Sequence, residues 1–146
     1  MPSPRTTIKN AVIAAIKAAS SIASTRVYKG RHNVVAGGTS WPAVYVWMLR
    51  DDVDTDTLDR PRHRLNSMTL VTDYYSKAAT PDALEDAFDT AVDAISDAVC
   101  VTSIAGTAGQ DIILTSSEFL YEGGEEQPFG CARLTFTVKY FSSEPS

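Results

Sequence analysis

Within residues 131–140, CARLTFTVKY, apolar and polar side chains alternate without a fault from Ala132 to Tyr140. Ala132, Leu134, Phe136, Val138 and Tyr140 fall on one side, and Arg133, Thr135, Thr137 and Lys139 on the other. A period of two is the signature of a strand with one buried face. This strand therefore belongs to a sheet that something must cover.

The cover is written upstream. Thr80–Pro81 predicts a helix start, with a hydroxyl to cap the first free N–H groups and a proline at the first helical position. Leu84, Phe88, Ala91, Ile95 and Val99 then recur at helical spacing and form its buried stripe. A second helix starts at Thr6 or Thr7, its stripe being Ile8, Val12, Ala15, Ile16, Ala19 and Ile22. Serines 20, 21 and 24 mark its end.

Between the helices lie further strands. A short one covers 26–28, followed by a Gly-rich loop to Trp41. Pro42 forbids helix at Trp41 and leads into 43–49, seven apolar residues in a row. Such a run reads as a strand buried on both faces. Two helices can cover only one face of a sheet, so another subunit is one candidate for the other. Residues 50–61, RDDVDTDTLDRP, read as a polar connection, and 62–75 as one strand long enough to project as a hairpin arm. Short strands are expected at 111–115 and 118–122, then a loop at 123–130. The order helix, strands, helix, strands predicts a single α+β domain over residues 1–146. Its architecture is a two-layer α/β one: a mixed, mostly antiparallel sheet, two helices on one face and a projecting hairpin.

The charge is unevenly placed. Residues 1–50 contain Arg5, Lys9, Lys17, Arg26, Lys29, Arg31 and Arg50 and no acid, a net +7. The remainder holds all 18 acids and sums to −12, giving −5 in total. An acidic chain is a poor general nucleic-acid binder. The split fits a basic arm, a subunit whose faces meet opposite faces of its neighbours, or parts that interleave and neutralise each other. No apolar run is long enough to span a bilayer as a helix. Lys17 interrupts the 11–16 stretch, so the N-terminus reads as a mature helix rather than an export signal. Cys100 and Cys131 have no metal-binding spacing and read as two buried thiols.

Candidate chemistry is thin. Asp52, Asp54 and Asp56 match the first ligands of a calcium loop, but Thr57 and His63 stand where it needs Gly and Glu. His32 and His63 are isolated and cannot fill a zinc site. Gly37–Gly38 lacks the Lys-Ser/Thr ending of a phosphate loop. Catalysis, a metal and a cofactor are therefore not expected, although a small hydrolase or ligand-binding module would be revived by a deep pocket joining His63 to carboxylates. Charged surface residues are the better candidates, serving as subunit or tube contacts: Lys29, Arg31, Asp52, Asp54, Asp56, Arg60, Arg62, Arg64, Glu85, Asp89 and Asp93. The row 85, 89, 93, 97 runs along one helix face. Its like charges repel, so the face is either solvated or met by a basic surface.

Taken in order, the first helix, VYKGR at 27–31, WPAVYV at 41–46 and the Asp-rich connection form the first half of a series. The strand ending at Tyr74–Tyr75, the helix opening LED at 84–86 and FGCARLTFTVKY at 129–140 complete it. This series resembles the tail terminator proteins of long-tailed phages, the minor tail protein U type, over about residues 5–141. The resemblance implies a structural virion protein, without catalysis, that forms a hexameric ring at the head-proximal end of the tail tube. It implies partners as well: the major tail protein, a head-completion protein, and DNA passing through the lumen without specific binding. No membrane contact is implied; the protein would reside in the host cytoplasm during assembly. Another neck or tail-completion protein is the alternative within the virion.

Overall fold

In the computed structural model the described residues are 4–19, 21–23, 26–30, 42–56, 63–100, 112–122 and 128–143. The elements are helix α1 (Pro4–Ala18), strands β1 (Val27–Lys29), β2 (Ala43–Asp56) and β3 (His63–Lys77), helix α2 (Pro81–Val99), and strands β4 (Ile112–Glu122) and β5 (Phe129–Ser143). The sheet order is β1-β2-β3-β5-β4. Only β1 and β2 are parallel; every other neighbour pair is antiparallel. This is the expected α+β architecture, with a mixed and mostly antiparallel sheet.

Both helices lie on one face and share one buried cluster with it. Ile8, Val12 and Ile16 of α1 join Leu84, Phe88, Ala91, Ile95 and Val99 of α2, as the two stripes require. From the sheet come Val44, Val46, Met68, Leu70, Tyr74 and the whole apolar set of β5, Ala132 through Tyr140. α1 packs over β1 and β2, whereas α2 packs over β3, β5 and β4. Thr80 caps α2 as expected, its Oγ1 accepting from the Ala83 N–H at 3.2 Å. α1 begins at Pro4 instead of Thr6 or Thr7, and proline is well suited to a first helical turn. It ends at Ala18, yet Ile22 still reaches the core from the turn that follows.

Three expectations change. Residues 50–56 are not a connection but the distal half of β2, paired with β3 as far as Asp56 opposite Arg64. Charged residues hold an extended conformation there because the backbone ladder, rather than burial, supports them. The long hairpin is therefore built from the ladder, and β5 runs beside it to Ser143 opposite His63. The two short strands expected at 111–122 are one strand, β4, with a register shift between Leu114 and Ser116. A bulge of this kind bends an edge strand without ending it. Residues 129 and 130 belong to β5, not to a loop. Gly130 is required where it stands, because a Cβ at that position would collide with the Leu120 carbonyl of β4.

Candidate assembly surfaces

The face of the sheet away from the helices carries its own cover. One row in register crosses all five strands: Tyr28, Tyr45, Asp73, Arg133, Glu118. At its centre the Asp73 carboxylate is 0% exposed. Arg133 grips it with two bonds, Nε to Oδ1 at 2.7 Å and Nη2 to Oδ2 at 3.2 Å. The indole N–H of Trp47 donates to Oδ2 at 2.9 Å, and the Arg133 guanidinium lies 5.5 Å above the same indole. Three charge-assisted bonds and a cation–π contact answer the desolvation of this carboxylate. The pair in turn raises the pKa of Arg133, first by the bond to Asp73.

Aromatic rings close the arrangement. Tyr28 and Tyr45 lie 5.3 Å apart, and Tyr45 meets Tyr75 edge-on at 5.6 Å. Beneath them the Cys131 thiol is buried; burial, then the Asp73 charge, pushes its pKa up to about 12. A thiol so placed is neutral at physiological pH and a poor nucleophile. Both cysteines are free thiols, as expected, but only Cys131 is buried, whereas Cys100 is exposed at the C-cap of α2. β2 was expected to be buried on both faces. Its second face is instead half-covered by this layer of Tyr, Trp and Arg, and Leu49 stands exposed beyond it.

A second polar cluster ties α1 to the sheet. The register shift in β2 between Met48 and Arg50 turns Asp51 onto the helix-covered face. There Asp51 Oδ2 accepts from Arg5 Nη1 at 3.2 Å and from the Tyr140 hydroxyl. Burial, followed by this bond, raises the pKa of Tyr140. Asp51 Oδ1 is buried and has no hydrogen-bond partner among the described residues. Arg5 and Asp51 show that part of the charge split is neutralised within the chain.

The candidate contact residues fall in four places. Lys29 is exposed at the end of edge strand β1. Asp52 is exposed on β2 and paired with Arg50 at 3.0 Å. Asp54, Asp56 and Arg64 lie in the paired hairpin backbone, their side chains outside the described residues; Arg31, Arg60 and Arg62 lie outside them altogether. Because Asp52 to Asp56 form extended strand, they do not make a calcium-type loop. Glu85, Asp89 and Asp93 are exposed on α2. The pKa of Tyr121 on β4 is raised, first by partial burial and then by the charges of Glu85 and Asp89. His32 lies outside the described residues, as does the side chain of His63.

Between α2 and residues 21–22 runs a groove of about 360 Å³ floored by Tyr74. Its lining includes one carboxylate, Asp86, and no histidine. Among the described residues no group of three or more His, Cys, Asp or Glu could hold a metal ion. No helix among them is long and apolar enough to cross a membrane. The Asp73–Arg133–Trp47 centre was not singled out in the sequence. An Asp within the Thr/Val/Tyr-rich stretch 70–75 was the available signal, together with an Arg on the polar side of 131–140.

No protein-family profile matches the sequence, and no curated protein matches it. Solved structures do share the fold. One is a chain of the virion of a native gene transfer agent particle, with a TM-score of 0.55 and 16% identity. The match covers 97% of this chain and 100% of that one. At such identity the likeness is one of fold.

Proposed function

We propose that this chain is a structural virion protein of the tail terminator kind, which closes into a ring on the head-proximal end of a tail tube. The observation that carries the reading is the match in fold to a virion chain, over 97% of this chain and 100% of that one. It supports a virion protein; the tail terminator role is drawn from the ordered sequence features that resemble that family.

The surfaces suit the role. The candidate chemistry of the described residues is spent on structure: Asp73 is bound by three donors, and the Cys131 thiol is held neutral. The protein acts by position and not by catalysis. Its net charge of −5 disfavours retention of duplex DNA, as a conduit requires. In this reading the partners are further copies of the chain, the tube protein and a head-completion protein.

The test is polymerisation of purified tube protein with and without this chain. Tubes of limited length, with one end carrying a ring, are expected. Tubes that lengthen unchecked while the chain binds only the portal side would make it a different head–tail connector.

A further inference from the structure

The two edges of the sheet are unlike each other. β1 has three residues, whereas β4 is an 11-residue edge strand containing neither Lys nor Pro, the residues that usually block such an edge. β4 also exposes apolar side chains on both faces: Ile113 at 54% and Leu120 at 47% on the open side, Phe119 at 38% and Tyr121 at 52% on the helix side. Phe119 and Tyr121 pack their inner surfaces on Phe88, at 6.1 and 5.5 Å, and so are held in place with their outer surfaces free of the core. Scattered apolar residues need no explanation, but three in succession, Phe119 to Tyr121, exposed beyond the bulge of a long edge strand do.

Charge says what covers it. The β4 edge is flanked by Glu118 and by Glu85 and Asp89 of α2, all exposed. The opposite edge, β1 with α1 above it, comes from the acid-free part of the sequence and exposes Lys17, Lys29 and Tyr28. Among the described residues Arg5 and Arg50 are engaged with Asp51 and Asp52 and Arg26 with the Pro42 carbonyl, while Lys9 is half-buried, so Lys17 and Lys29 are the exposed bases left to that edge. With four strand spacings between them, the two edges stand about 19 Å apart. They are also level: Glu118 and Tyr28 end the same row across the sheet.

We propose that the β4–α2 edge of one copy docks on the β1–α1 edge of a second copy, head to tail. Glu85, Asp89 and Glu118 face Lys17 and Lys29, and the strip Phe119–Leu120–Tyr121 is buried beside Tyr28. Two-fold docking of β4 on β4 would set the acidic rows against each other, whereas heterologous docking pairs opposite charges and closes into a ring if the rotation per copy allows. The proposal rests on the ring reading above, and it names the faces that meet.

The experiment is a charge swap on the full chain. One variant carries Glu85→Lys, Asp89→Lys and Glu118→Lys; the other carries Lys17→Glu and Lys29→Glu. Each alone should need about 100-fold more protein to assemble than the unaltered chain. An equimolar mixture should assemble like the unaltered chain, because acidic and basic edges then alternate around a ring with an even number of subunits. Recovery in the mixture also shows that both variants fold. If each variant assembles alone as the unaltered chain does, or if the mixture does not recover, these edges are not the interface, even where the unaltered chain still forms rings. If the unaltered chain forms no oligomer at any concentration, the ring reading falls together with the docking.

Discussion

On the helix-covered face of the sheet the buried groups are Val44, Leu70, Leu134 and Phe136, closed by Phe88 and Ile95 from α2. On the other face, at the middle of the same strands, Val71, Tyr75 and Cys131 are buried beside a carboxylate held by an arginine and an indole. The first face is stabilised by removing apolar surface from water. Among the described residues the second has no layer of secondary structure above it and is covered by its own long side chains. Burial alone does not distinguish the faces, because Leu70 and Asp73 are equally inaccessible. They differ in what a lost partner leaves behind: a void on one side, an unpaired charge on the other.

The largest effect is expected from the apolar face. Phe88 contacts Tyr74, Phe119 and Tyr121, and Phe88→Ala should cost about 4 kcal/mol, measured by urea unfolding. A smaller, different loss should follow Arg133→Leu on the other face. It strands the Asp73 charge and should cost about 3 kcal/mol, while adding Asp73→Leu should recover most of it. If the double variant is no better than the single one, the open face is held by packing and the contrast between the faces fails.

Alkaline pH acts on the open face through its buried thiol. In the unfolded chain the Cys131 thiol ionises at its ordinary 9.0, whereas the folded protein keeps it neutral to about 12. Its folded pKa is raised, so its contribution to stability is whole below 9.0 and is lost as pH rises towards about 12. Under reducing conditions the urea midpoint should fall across that window, and less steeply in Cys131→Ala. Equal slopes would mean that the thiol is not buried under the aromatic layer. The smallest effect should be that of Arg5→Ala, about 0.5 kcal/mol by the same unfolding measurement, since the Arg5 side chain is half exposed.

The sequence made the apolar face legible and left the other largely hidden. Periodicity identified all five buried residues of α2 and the inward set of β5, because one burial direction imposes one repeat. It does not show what stands above the outward set, so Arg133 read as an ordinary polar position and Trp47 as one more apolar residue. The Asp-rich half of β2 was taken for a connection because its strand conformation comes from pairing with β3, which no local pattern records. The acidic row of α2 was visible as a candidate surface. Its flanking by the β4 edge strip needed the sheet order, which places Tyr121 beside Phe88, Glu85 and Asp89.

If this subunit works by closing a ring, electron microscopy of the purified full chain over a range of concentrations will reveal it. Closed rings of uniform size, with six subunits and a central hole, are expected. Monomers alone at every concentration would contradict ring closure.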